Sequence, residues 1–409
     1  CKNVTMRKNK IDIISLGCSK NLVDSEHLIR QFQANGYSVE HNPSRVDGEI
    51  VVVNTCGFIR DAQEESIDMI LELGRAKKEG KIKKLFVMGC LAERFMAQLI
   101  DELPEVDKFY GKFNWKEMLN DLGKSYKEDL SSERYLTTPK HYAYLKISEG
   151  CNRFCAFCAI PLITGRHKSV PMDTLLNEVK YLVSQGVKEF NVIAQDLSSY
   201  GLDLYGKMML PELIDQMAQI EGVEWIRLHY AYPTQFPYDI LPVMAKHDNV
   251  CKYLDIALQH SSDKVLNNMQ RHITKAETIE LIKRIRKEVP GIHIRTTLMV
   301  GFPGEGEEEF NDLVDFVEEM RFERMGAFAY SEEEGTFAAK HFDDIIPENV
   351  KADRLDKIME IQEEISNEIQ SKKVGNVYKV IIDSVDEMYY SGRTEWDSPE
   401  VDPEVLIPV

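Results

Sequence analysis

Apolar residues in this chain fall into two alternating patterns. Short β-branched runs, KIDIISLG (10–17), EIVVVNT (49–55) and KKLFVMG (83–89), each end in a turn signal. Between them, apolar positions recur at helical spacing, as in Asp24 to Asn35 and Ala62 to Glu79. Strands alternating with helices predict an open parallel α/β sheet covered on both faces. Lys124 to His141 has no apolar periodicity and reads as a linker. The alternation then resumes for six units, with strands at YAYLKIS (142–148), FNVIAQ (190–195), WIRLHY (225–230), YLDIALQ (253–259), IHIRTTLMV (292–300) and RMGAFAY (324–330). Helical stretches such as Asp173 to Ser184 and Lys275 to Glu288 separate them. Six sequential βα units predict a partial, TIM-like (β/α)6 barrel. Pro347 opens a long helix with Ile358, Ile361, Ile365 and Ile369 on one face, which reads as packing on the barrel flank.

The predicted organisation is an N-terminal sheet domain (6–123), a linker (124–141), the partial barrel (142–371) and a C-terminal β segment (372–409). The last stops at the apolar strand VLIPV with no partner after it, and reads as the start of a small β-barrel that looks truncated. The residues before Met6 read as an upstream extension, with a lipid-anchored Cys1 as the alternative. Composition narrows the class further. Apolar residues are 43% and charged residues 29% of 409, an ordinary globular balance. No apolar run reaches the roughly 18 residues of a membrane span, and no leader-like apolar stretch opens the chain. A cytoplasmic protein is expected. The formal charge of −18 disfavours phosphate backbones and favours basic partners.

Eight cysteines are too sparse for a disulfide scaffold, and their placement points to metal or catalysis. Cys151, Cys155 and Cys158 lie in EGCNRFCAFCAIP, a loop after the first barrel strand. Three thiolates can hold three corners of a cubane iron–sulfur cluster and leave one iron open. A structural zinc site, with His167 or another distant residue as fourth ligand, is the alternative on spacing alone. The C-terminal mouth of a βα barrel, where active sites gather, favours the cluster. Cys18, Cys56 and Cys90 each end one N-terminal strand beside a glycine (Gly17, Gly57, Gly89). In a parallel sheet those strand ends share one edge, so a second three-cysteine cluster is predicted there. Cys251 has no partner and reads as structural.

CNRFCAFC, with Phe157 before its last cysteine, resembles the signature of radical S-adenosylmethionine enzymes. SLGCSKNLVDSE (15–26), VNTCGFI (53–59) and GCLAER (89–94) make the whole similar to the methylthiotransferases of that superfamily. The resemblance covers about Lys10 to Val409. GCSKN and NTCGFI match the branch that modifies a ribosomal protein, where tRNA-modifying relatives read GCQMN and NTCSVR. It implies two 4Fe–4S clusters, on Cys18, Cys56, Cys90 and on Cys151, Cys155, Cys158, with S-adenosyl-L-methionine at the second. It further implies a 5′-deoxyadenosyl radical that takes hydrogen from the β-carbon of an aspartate in a small-subunit ribosomal protein, sulfur delivery from the first cluster, and an electron-donor protein. The C-terminal segment would be a TRAM module. Its four basic and eight acidic residues suit a basic protein better than RNA.

By the same resemblance Gln195 and Asp196, at the end of the second barrel strand, contact the methionyl amino group. Gly301, Pro303 and Glu305 after the fifth strand approach adenine. On residues alone these are equally a polar strand cap and a tight turn. Arg166 and Lys168 read as solvated, and His229 and His260 face the barrel mouth without an assigned role. Two other functions stay open: a tRNA adenosine methylthiotransferase, and a zinc-stabilised binding module without catalysis.

Overall fold

A computed structural model describes residues 6–409, so Cys1 lies outside the described residues. The chain divides into two compact units: residues up to 140 with 159–166 and 177–182, and the remainder.

The first unit is a parallel sheet of β1 (Arg7–Ser15), β2 (Ser38–His41), β3 (Gly48–Thr55), β4 (Lys84–Gly89) and β5 (Lys108–Phe109), in the order β2-β1-β3-β4-β5. Its helices are α1 (Ser19–Ala34), α2 (Arg60–Lys78), α3 (Cys90–Glu102) and α4 (Trp115–Asp121). Period-two alternation divides the strand residues between two cores. Val51, Val53, Leu85 and Val87 pack with Ile70, Leu73, Leu91 and Leu99 on one face. Ile11, Ile13, Val52 and Phe86 pack with Leu28, Phe32 and Met118 on the other. With both faces covered, β3 reads as an unbroken apolar run. The sequence pattern missed β2 and β5, a four-residue edge strand without an apolar face and a two-residue one. Residues 124–140 lie along α1, where Gln31 exchanges hydrogen bonds with the backbone of Lys127 (3.0 and 2.8 Å) and Glu26 accepts from Thr137. Polar anchors hold this stretch, which is why it shows no apolar period. Asp12, Glu40 and Asp47 converge closely enough to hold a cation, but the Lys10 ammonium already pairs with all three.

The second unit is built on β6 (Tyr142–Lys146), β9 (Glu189–Ile193), β10 (Trp225–Ala231), β11 (Val250–Ile256), β12 (His293–Val300) and β13 (Arg324–Ala329), all parallel and adjacent in chain order. That is the expected (β/α)6 partial barrel. Two short strands, β7 (Ser148–Glu149) and β8 (Lys168–Ser169), pair antiparallel and close the loop that carries three cysteines. The helices along this part of the chain are α5 (Ile160–Thr164), α6 (Met172–Ser184), α7 (Leu202–Tyr205), α8 (Leu210–Ala218), α9 (Ile240–Lys246), α10 (Asp263–Asn268), α11 (Lys275–Glu288), α12 (Glu307–Met320), α13 (Phe337–His341) and α14 (Glu348–Ser371). α11 starts at a capping box between Thr274 and Glu277. α14 packs on β13 and α12 through buried Ile358, Ile361 and Ile365, with Ile369 half-buried at its end.

The C-terminal strands β14 (Ile381–Val385), β15 (Tyr389–Arg393) and β16 (Val405–Pro408) form an antiparallel sheet. The stretch between β15 and β16 crosses the N-terminal ends of the barrel strands. Asp397 binds Arg324 (2.5 Å), Asp402 accepts from Tyr253 (2.9 Å), the Glu395 carbonyl takes Arg227, and Trp396 stacks on His293. Arg393 donates to Glu189 (2.7 Å) and Asp383 (2.6 Å), and Asp383 also pairs with His141 (2.7 Å). Asp383, Glu395, Asp397 and Asp402 therefore face inward, while Asp386, Glu387, Glu400 and Glu404 stay exposed, so the net charge of the segment overstates the acidic surface it offers to a basic partner. Asp383→Lys is expected to lower the thermal midpoint clearly, whereas exposed Glu387→Lys should stay within about 0.5 kcal/mol of the parent. Differential scanning fluorimetry of the two variants checks this.

Candidate active site

Each cysteine of the first triad sits where a strand gives way to a helix. Cys18 is the N-cap of α1, Cys56 follows β3, and Cys90 is the first residue of α3. Sheets of order 2-1-3-4-5 open their ligand crevice at the switch point between strands 1 and 3. Cys18 and Cys56 flank that point. The adjacent glycines are required by proximity. A Cβ on Gly17 would meet the Cys56 Cβ at 2.7 Å, and one on Gly57 would meet the Leu91 nitrogen at 2.6 Å.

Polar residues of SLGCSKNLVDSE fold back under the triad. Asn21 donates to the carbonyls of Thr55 (2.9 Å) and Leu16 (3.2 Å), and its Oδ1 accepts from Cys90 Sγ at 3.5 Å. Asn54 reaches the Asn21 carbonyl and Ser25 Oγ. Ser66 Oγ pins both backbone groups of Cys56. Burial pushes the Cys90 thiol up to about 12 and raises Cys56 as well. Cys18 is exposed, and the desolvation caused by its crowded surroundings is outweighed by Lys20, the Asn21 N–H and Lys112, which hold its thiol below the ordinary value.

The second triad lies at the C-terminal mouth of the barrel. Gly150 and Phe154 take left-handed backbone to fold the loop. Ala156 ties it to the body, donating to the Met269 carbonyl (2.9 Å) and accepting from Ala338 (2.7 Å). Phe157 packs edge-on against Phe302, which follows β12. Arg153 donates to Asp196 at 2.7 Å and to Ser199 at 3.2 Å, and Ser199 donates to Asp196 at 2.5 Å. Burial beside Asp196 pushes the Cys151 thiol up to about 12. Cys155 Sγ accepts from Arg271 Nη1 at 3.2 Å and lies 3.4 Å from the Tyr232 hydroxyl. The Arg153 and Arg271 guanidiniums lie 4.3 and 4.1 Å from the Tyr232 ring centre.

The remaining residues named from sequence divide. Gln195 donates to Glu149 (2.9 Å), while its buried Oε1 has no hydrogen-bond partner among the described residues. Gly301 takes left-handed backbone and donates its N–H to Glu305 (2.8 Å). Glu305 is buried and also holds His260 (2.9 Å) and Arg354 (2.7 Å), so its carboxylate supports the turn from beneath. His229 pairs with Asn191 (3.2 Å). Arg166 and Lys168 are exposed, and Cys251 is buried between Trp225 and Tyr253. Sequence reading missed Lys112, Tyr232, Arg271 and Gln259. None of the four stands out in local sequence; in the structure Gln259 holds a positive φ (72°) and, like Gln195, buries an unpartnered Oε1.

Comparison with known proteins follows the same division. Residues 10–111 match the profile described as "Uncharacterized protein family UPF0004", 145–317 the "Radical SAM superfamily" and 374–409 the "TRAM domain". Ribosomal protein uS12 methylthiotransferase RimO of Parabacteroides distasonis is 66% identical, covering 98% of this chain and 93% of that one. The chain belongs to the RimO family. RimO of Bacteroides thetaiotaomicron is 65% identical (99% and 93% covered) and that of Flavobacterium johnsoniae 52% (98% and 92%). The radical S-adenosylmethionine methyltransferase TsrM of Kitasatospora setae shares the fold at a TM-score of 0.59 and 14% identity, over 81% of this chain and 77% of that one. As a RimO-family member the chain is a radical methylthiotransferase, and its two matched catalytic regions imply S-adenosylmethionine and iron–sulfur chemistry. Among the described residues, no helix is long and apolar enough to cross a membrane.

The donor sets suit such groups. Neither triad brings its three thiols within 4.8 Å of one another. A single tetrahedral zinc, with Zn–S of about 2.3 Å, sets its sulfurs roughly 3.8 Å apart. Six free thiols in two triads are the all-sulfur donor set that iron–sulfur clusters take. The unpartnered acceptors of Gln195 and Gln259 are suited to amine donors of a bound cofactor.

Proposed function

We propose that this chain methylthiolates the β-carbon of an aspartate in ribosomal protein uS12. One 4Fe–4S cluster would be held by Cys18, Cys56 and Cys90, the other by Cys151, Cys155 and Cys158. The observation that carries this is the pairing of two cysteine triads, each at the C-terminal ends of parallel strands, in a chain so similar to RimO enzymes. S-adenosylmethionine at a cluster with one open iron supplies radical chemistry able to break a C–H bond, so that a C–S bond can form in its place.

The protein's part is orientation. Arg153, Asp196 and Ser199 lock the second cysteine loop, and the Phe157–Phe302 contact anchors it to the turn after β12. Gln195 and Gln259 offer their free Oε1 acceptors to the methionyl amino group and the adenine amine. Glu305, through Gly301, His260 and Arg354, holds that turn in place. A cytoplasmic electron-donor protein would supply the reducing equivalent.

Anaerobically reconstituted enzyme, incubated with uS12, S-adenosylmethionine, a one-electron reductant and sulfide, should add the mass of one methylthio group in place of hydrogen. Cys56→Ala should still cleave S-adenosylmethionine while transfer stops. Mass gain on tRNA adenosine with uS12 untouched would overturn the substrate. Normal transfer by the Cys56 variant would reduce the first triad to a structural feature.

A further inference from the structure

A fourth strand end meets the first triad. β1, β3 and β4 deliver Cys18, Cys56 and Cys90, and Lys112 follows β5 by three residues. Its side chain is buried, with the residue only 3% exposed. Nζ lies 2.9 Å from Asp24 Oδ2 and 3.5 Å from Asn21 Oδ1, the same oxygen that accepts from Cys90 Sγ. The Lys112 backbone N–H is fixed by Glu93 Oε2 at 2.8 Å, so the chain holds the residue in place from both ends.

Burying an ammonium is costly unless something negative repays it. Asp24 repays part. Three thiolates around a cluster would add a concentration of negative charge that Asp24 only increases. From this geometry we infer that Lys112 is the electrostatic positioning residue of the N-terminal triad. Its fixed charge stabilises the reduced, more negative form of the cluster held there and raises its reduction potential. Asp24 works in the opposite sense and orients the ammonium. The inference rests on the first triad holding a cluster, and concerns the residue that tunes it.

The test uses full-length protein with Cys151, Cys155 and Cys158 changed to Ala, leaving one cluster to observe. Iron content is measured first, then the midpoint potential by electron paramagnetic resonance during redox titration. Lys112→Met should keep the iron and shift the reduced-to-oxidised ratio at fixed potential at least tenfold toward oxidised, a fall of about 59 mV or more for a one-electron couple. Lys112→Arg should restore most of the shift. Asp24→Asn, which keeps the lysine, should move the potential upward. If the parent takes up no iron, the cluster assignment itself fails. Full iron with an unmoved potential in both Lys112→Met and Asp24→Asn would overturn this inference alone. If Lys112→Met fails to load, Asp24→Asn decides: a rise supports the inference, and no change or a fall overturns it.

Discussion

Cys155→Ala should abolish reductive cleavage of S-adenosylmethionine. Cys155 Sγ accepts from Arg271 Nη1 at 3.2 Å and lies 3.4 Å from the Tyr232 hydroxyl. The proposed cluster would be left with two protein ligands, so the site should empty and not merely weaken. Reconstituted iron should fall from about eight to about four per chain. Arg271→Met, which keeps all three thiols, should retain more iron than Cys155→Ala and lower cleavage only in part. Arg271 is 2% exposed and also donates to the Ala257 carbonyl, joining the Cys155 loop to the end of β11. Iron analysis and quantification of 5′-deoxyadenosine separate the two outcomes. Undiminished cleavage by Cys155→Ala would remove the second triad from the chemistry.

Arg393→Leu should cost about 3–5 kcal/mol of stability, because it strands buried partners without their cation. Arg393 donates to Glu189 through two nitrogens and to Asp383 through two, and both acids lie at the barrel floor. Half-exposed Arg321→Leu, which loses its surface pair with Glu368, should cost less than about 1 kcal/mol. Urea titration of the two variants compares them. The pH dependence has a defined sign. Asp383 is partly buried, yet hydrogen bonds from His141 and Arg393 lower its carboxyl from 3.8 to about 2. Its contribution is therefore complete above about pH 4 and lost as pH falls toward 2. Arg393→Leu should flatten that part of the stability profile. Equal midpoints for the two arginine variants would show that the floor network holds nothing together.

The parallel strands, the alternation that builds both units and the six cysteines were legible in residue order. These are local properties: β-branched runs bury on two faces, and a cysteine after such a run stands at a strand end wherever the strand goes. Gly17 and Gly57 were legible beside the cysteines, but the reason for them was not. Only the packed turns show the Cys56 side chain and the Leu91 backbone where a Cβ would stand. β2 and β5 escaped because short edge strands carry little apolar signal. Lys112, Arg271 and Tyr232 escaped for a different reason. Each sits in unremarkable local sequence, and its role depends on partners 77 to 116 residues away for Cys155, or 88 away for Asp24. The C-terminal acids show the limit most clearly. A count of charge along residues 372–409 suggests an acidic surface, whereas tertiary structure turns Asp383, Glu395, Asp397 and Asp402 inward onto the barrel floor. Charge adds along a chain, but its effect depends on which ions end up facing water, and only the fold decides that.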